Sequence, residues 1–433
     1  MKTKEALLHY VWKHRLYDRR SLRLSDGSTF EIIDTGIHNT NSGPDFFNAK
    51  IKIGDQLWAG NVEIHVSSSD WRRHRHDRDS AYNSVILHVS ESVDAEIRDA
   101  TGRLIPQWEM CTPQHLRDDY RFLLESDLPV PCLDRISEIP EIYLNEWKSV
   151  LFTERLDRKA NDILMLLEEY KNDWNETFYI IFARHFGFGI NNDAFEHLAK
   201  SLPLKTVLKH NSRLQSEALF LGQAGMLEEG RDIDEYYSAL RKEYNFLRDK
   251  YGLTARKNIF RNMRTRPGSF PQVKIVQLAA IISRRQHLFL EFVKAFDTLD
   301  PFGTLNAEPD DYWNTHYTFG KTSVTKSKKT GNTFVRNLYI NAILPTLFAY
   351  GKKNDNHSLM ENVLLKYKTT TIENNNIIEM YIRAGIKVGN AGDTQALIQL
   401  RNEYCEKKKC IYCHIGHRLL VGGRNNEHTF NVP

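Results

Sequence analysis

Two short stretches of this 433-residue chain carry side chains of the kind that bind cations and move protons: Ser42-Gly43-Pro44-Asp45-Phe46 and Asn61-Val62-Glu63-Ile64-His65-Val66. Side chains of an extended strand alternate between faces, so Val62, Ile64 and Val66 share one face and Glu63 and His65 the other. Asp45 opens the preceding strand, and adjacent strands joined by a turn bring such positions into one pocket. Two carboxylates beside an imidazole suit a divalent cation. Magnesium takes few protein carboxylates and leaves positions for water and phosphate oxygens, whereas manganese also accepts imidazole. This is the chemistry of phosphodiester hydrolysis. The plainer alternative is a turn at Asp45 and a solvated strand face at Glu63 and His65.

The segment after this strand is dense in charge, from Asp70 through Arg72, Arg73, His74, Arg75 and His76 to Asp79. Guanidinium groups match phosphate bidentately, which assigns Arg72, Arg73 and Arg75 to a nucleic-acid backbone and His74, His76 or Asp79 to the neighbourhood of the metal. A salt-bridged surface helix is the alternative. His88 interrupts the apolar run Val85–Val89 and is expected to be buried and hydrogen-bonded for structural reasons. Further along, Arg261 and Arg264 lie in one basic stretch and Lys328 in another, just after Trp313, His316, Tyr317 and Phe319. Cations beside aromatics suit unpaired bases, although such aromatics also serve as core and such cations as solvated surface. Near the end, Cys405, Cys410, Cys413 and His417 offer a tetrahedral zinc site. An iron–sulfur cluster would instead need a fourth thiolate such as Cys132. Three reduced thiols without metal are the alternative.

The elements that must position these groups follow from periodicity. Residues 4–16 form a helix by their apolar spacing, with Glu5 and His9 on a separate face. A hairpin at 21–33 turns on Asp26-Gly27, strands follow at 47–53, 57–66 and 85–89, and a further hairpin spans 95–107. From about residue 113 the pattern becomes helical, as in the stripe Phe152, Leu156, Ala160, Ile163 and Leu167. Other helices are expected at 175–186, 193–201, 215–229, 272–296, 333–350 and 394–405. The expected fold is α+β: a mixed-sheet α/β domain over 1–112, then a mainly helical region over 113–433 with a cysteine-rich segment at 405–417.

Gly-Pro-Asp, a strand, then Glu-x-His resembles the Asp…Glu-x-Lys motif of the PD-(D/E)XK nuclease superfamily over roughly the first quarter of the chain. The resemblance implies a restriction-endonuclease-like core. It gives Glu5, Asp45 and Glu63 the acidic roles and places His65 where the superfamily has its lysine. An imidazole is neither a permanent cation nor a three-proton donor, so His65 is a base, a metal ligand or neither. Over its whole length the sequence also resembles an uncharacterised bacterial family, DUF2851-like, in GPDFFNAKI, GNVEIHVSSSDW, AYNSVILHV and YWNTHYTFG.

Composition narrows the class. The 41% hydrophobic and 26% charged residues exclude a disordered or fibrous chain, and the formal charge of +4 is too small to identify a partner by itself. No apolar run approaches the ~18 residues of a membrane span, and five scattered cysteines make no disulfide framework. A cytoplasmic protein with no membrane partner is expected. Its expected function is a magnesium- or manganese-dependent nuclease acting on DNA or RNA. A non-catalytic nucleic-acid-binding or scaffold protein on the same fold is the alternative, and a zinc hydrolase of another substrate stands third.

Overall fold

The computed structural model describes residues 5–18, 22–210, 212–228, 233–257, 259–262, 267–285, 287–296, 298 and 300–422. The first helix, α1 (Glu5–Lys13), buries Leu7, Leu8, Val11 and Trp12, the apolar face expected from the spacing. A mixed sheet follows, built from β1 (Phe30–Asp34), β2 (Ile37–His38), β3 (Phe46–Ile53), β4 (Gln56–Ser67), β5 (Val85–Ser92) and β6 (Gln107–Glu109). Its order is β1-β3-β4-β5-β6, with β2 paired to β3. β1, β3 and β4 run antiparallel, and β3 turns into β4 through Gly54, whose φ of 56° is left-handed.

β5 lies parallel to β4, and β6 parallel to β5. A parallel neighbour needs a crossover, and here it is the short helix α2 (Asp70–Arg73) with the turns His76–Arg78 and Ser80–Tyr82. That crossover buries Trp71 and Tyr82 with Val85, Ile97 and Ile105. Two expected hairpins are reduced to isolated bridges, Arg23 with Thr29 and Arg98 with Leu104. β1 takes β3 as its partner instead, because the apolar Phe30 and Ile32 bury there.

After β6 come α3 (Gln114–Glu125) and the 29-residue α4 (Glu141–Glu169), whose stripe Leu156, Ala160, Ile163 and Leu167 is buried as expected. The expected helix at 272–296 is two, Pro271–Ile282 and Leu288–Lys294. The one at 333–350 runs through a π-helical segment, Tyr339–Ile343. Glu235–Tyr251 is a helix that the sequence reading did not single out. Among the described residues no helix is long and apolar enough to cross a membrane.

The fold is therefore α+β, a mixed sheet followed by a mostly helical remainder. The chain divides into two compact units, one drawn from Met1–Trp147, Arg383–Ile386 and Leu400–Pro433, the other from Lys148–Ile382 and Lys387–Gln399. This differs from a division at residue 112, since the cysteine-rich segment returns to the unit that contains the sheet. The second unit has its own large core, including Phe178, Phe182, Phe220 and Leu278.

Candidate metal centre

β4 is covered on both sides. Val62 and Ile64 are fully buried, and Phe46, the cross-strand partner of Val62, packs edge-on against His9 and Trp12 of α1. The opposite face carries Glu63 and His65, which are 5% and 1% exposed. These two residues are buried, not the solvated face of an ordinary strand. The parallel register puts His88 of β5 beside Glu63. Gly60 lets the strands approach, because a Cβ there would strike Ile86 Cγ2 and lie 2.7 Å from Ser84 O.

Backbone N–H groups of Asp45 and Ile64 fix the two carboxylates. Asp45 N donates to Glu63 Oε2 at 3.1 Å, and Ile64 N donates to Asp45 Oδ2 at 2.9 Å. His9 Nε2 stands 3.2 Å from the same Asp45 oxygen. Glu5, one turn earlier on α1, is half-buried and acts on Asp45 and His9 through its charge.

Four imidazoles gather on the Glu63 face. His65 Nδ1 is 2.8 Å from His88 Nε2, and His65 Nε2 is 3.1 Å from His74 Nδ1. Glu63 Oε1 lies 3.2 Å from His76 Nε2 and 3.5 Å from His65 Nε2. His65, His74 and His76 each offer a ligand atom within 4.8 Å of the others, with His74 exposed and the other two buried. Arg75 between them is left-handed, with φ 65°, a conformation that costs a non-glycine residue of order 1 kcal/mol. The reversal turns both flanking histidines toward His65, and His76 stacks on Tyr82 at 3.8 Å.

Burial and close charges set the protonation. Burial, then the Asp45 carboxylate, pushes Glu63 up to about 9, and burial also raises Glu5. Burial pulls the His9 imidazole down, but Asp45 and Glu5 outweigh it and hold His9 above its ordinary value. His65 is pushed down to about 2 by burial and then by His88, His74 and His76, and His88 to about 3 by burial. These rings are neutral at physiological pH. In the tautomer where His65 Nδ1–H donates to His88, the His65 Nε2 lone pair faces His74 and Glu63, as in a metal ligand held from behind by a second-nitrogen hydrogen bond.

The donor set decides which cation fits. Three imidazoles and one or two carboxylates suit zinc or manganese, whereas magnesium requires oxygen ligands. By donor chemistry, the residues suit a borderline ion such as manganese or zinc better than magnesium.

The remaining expected residues fall in several places. Arg72, Arg73 and Arg75 are exposed on and just after α2. Arg73 pairs with Asp70 at 2.9 Å, and Arg72 donates to Glu96 O at 3.0 Å. Asp79 caps the next turn through Ala81 N. In the second unit Arg261 is exposed, its backbone N and O both bonded to the Asn191 side chain, while Arg264 lies outside the described residues. Lys328 is buried in the second unit. It is 5% exposed, donates to Lys326 O at 2.9 Å and Asn314 O at 3.3 Å, and sits 4.0 Å over the Tyr317 ring. Cys405, Cys410 and Cys413 are buried together, but His417 turns elsewhere, with Nδ1 2.8 Å from Tyr10 Oη. The sequence reading did not assign His9 to the site. Its position one helical turn after Glu5 was the available signal.

A family model described as "Protein of unknown function (DUF2851)" matches residues 5–376. No curated protein matches the chain, and no solved structure does.

Proposed function

We propose that this chain, which belongs to the DUF2851 family, is a hydrolase that uses a divalent transition metal to cleave phosphodiester bonds in DNA or RNA. The observation that carries the reading is the convergence of Asp45, Glu63, His65, His74 and His76 on one face and edge of the sheet, linked by contacts of 2.9–3.5 Å. The order of elements supports it as well. The helix α1 precedes the sheet and carries Glu5 into the neighbourhood of Asp45, in keeping with the acidic role that the PD-(D/E)XK resemblance gives Glu5.

Glu63, His65, His74 and His76 would hold the metal, with Asp45 completing the set. When bound, the ion polarises a phosphoryl oxygen and acidifies a coordinated water. To hold the ion Glu63 would give up its proton to solvent, and neutral His65 would offer a lone pair where the superfamily has its lysine cation. His9, whose imidazole Asp45 and Glu5 hold above its ordinary value against the pull of burial, is the nearby group able to give a proton to a leaving oxygen. The exposed Arg72 and Arg75 would guide the phosphate backbone toward the half-open His74 side.

Cleavage of labelled single- and double-stranded DNA and RNA tests this, using wild type and Glu63→Ala with manganese, zinc, magnesium or chelator. Cutting that needs manganese or zinc and is lost in Glu63→Ala supports the reading. Binding without cutting under any metal would favour a nucleic-acid-binding scaffold. The three-histidine group specifically favours one further reading, zinc-dependent hydrolysis of a smaller ester. In that case chromogenic esters would turn over while nucleic acids stay intact.

A further inference from the structure

Cys132 and Cys405 are far apart in sequence, yet Cys132, Cys405, Cys410 and Cys413 line a single small cavity together with apolar groups such as Leu123, Leu400 and Ile415. All four are buried, 6–8% exposed. They come from four different local structures: the loop before the turn Leu133–Glu138, the end of the π-helical Leu400–Cys405, the turn Cys410–Tyr412, and the residue before the C-terminal helix His414–Gly422. Four soft ligands on separate backbone elements converge on an otherwise apolar hollow. From this geometry we infer that the four cysteines hold a [4Fe–4S] cluster.

Spacing distinguishes a cluster from a single ion. Four thiolates on one zinc, each about 2.3 Å from it, would stand about 3.8 Å apart. Among the described residues, the group of three or more ligands within 4.8 Å of one another is His65, His74 and His76, and no trio of these cysteines meets that spacing. In a cluster each thiolate binds its own iron, so the sulfurs stand farther apart around the hollow.

The surroundings fit the cluster's charge and shape. Lys407, Lys408 and Lys409 fill the loop between Cys405 and Cys410, with Lys408 left-handed at φ 48° and its ammonium donating to Ser126 O at 3.2 Å. They supply positive charge beside the four thiolates. Gly416 seats the C-terminal helix against the Cys410 turn, where any Cβ would strike Cys410 O. Burial and the neighbouring thiols hold Cys132 well above the ordinary thiol range, and burial pushes Cys410 up to about 11. Assembly from two ferrous ions, two ferric ions and four sulfides would replace the S–H proton of each thiol by an Fe–S bond, with no external oxidant required. The cluster would fasten the returning C-terminal segment to residue 132 within the sheet-containing unit. This inference does not depend on the hydrolase reading.

The test is anaerobic purification of the full chain, followed by reconstitution with equal amounts of ferrous and ferric iron and with sulfide, and assays of iron, acid-labile sulfide and zinc. About four irons and four sulfides per chain, with the broad visible absorption of a cluster, are expected for wild type. Cys132→Ser is expected to lose most of this content, and His417→Ala to retain it, as is Cys111→Ser at the exposed cysteine. One zinc per chain without sulfide would overturn the inference, as would no metal after reconstitution, or a cluster that depends on His417 and not on Cys132. Should Cys132→Ser fail to fold, the wild-type stoichiometry and the His417→Ala result still decide.

Discussion

Glu217 is a buried carboxyl outside the metal centre, and replacing it with Gln should change how stability depends on pH. It is 1% exposed on the helix Arg213–Gln223. Tyr236 Oη at 2.6 Å and Trp313 Nε1 at 2.8 Å donate to Oε2, while Asp310 N at 2.9 Å donates to Oε1. Burial outweighs these donors and pushes the carboxyl up to about 7 from 4.5. With the folded value raised, the contribution to stability is fully present below about pH 4.5. It is lost as pH rises through about 7, because the unfolded chain ionises first. At about 1.36 kcal/mol for each tenfold change in the acid dissociation constant, the loss is roughly 3 kcal/mol. Gln does not ionise and has one acceptor oxygen for three donors, a cost of about 1–3 kcal/mol at every pH. Urea unfolding of both proteins from pH 4.5 to 8, followed by tryptophan fluorescence, should show the wild-type advantage shrinking by roughly 3 kcal/mol across that range. Parallel pH profiles would mean that Glu217 titrates alike in the folded and unfolded chain, the three donors offsetting burial, and would refute the reasoning.

Three further outcomes follow from the structure. Gly60→Ala forces a Cβ against Ile86 and Ser84 O and should cost about 1–3 kcal/mol by overpacking, read as a lower melting temperature and weaker manganese binding, because β4 carries Glu63. Lys328→Ala removes the ammonium that donates to Lys326 O, while Asn314 O keeps its bond from Lys326 N; it should destabilise by about 1–3 kcal/mol, while nucleic-acid affinity in a filter-binding assay stays within about twofold. Manganese or zinc at about 100 times its dissociation constant should stabilise the sheet-containing unit by ~2.7 kcal/mol against thermal unfolding. That gain should disappear with chelator and in His76→Ala.

What could be read in the sequence was local. Glu63 and His65 share a face because strands alternate, and Asp45 reaches them because a tight hairpin joins β3 to β4. The burial of both faces of β4 was not readable, since it depends on α1 and on the crossover that carries Trp71. His9 finds Asp45 through packing of a helix on a strand 36 residues later; its i, i+4 spacing from Glu5 marks a shared helix face but not the strand that face meets. The Cys132 convergence is longer in range still. Among the helices, Glu235–Tyr251 buries Tyr237, Leu240, Tyr244 and Leu247, a helical stripe obscured by its two tyrosines and polar surroundings. The segment at 272–296 has continuous apolar character but is interrupted around Ser283-Arg284-Arg285, where charge ends the first helix.

The most direct test of the metal-centre claim is anomalous diffraction from crystals of the manganese- or zinc-loaded chain, collected on either side of the metal edge. The account predicts an anomalous peak bonded to Glu63, His65, His74 and His76, at about 2.0–2.2 Å. A loaded crystal whose peak lies away from these four residues, or that shows none, would contradict it.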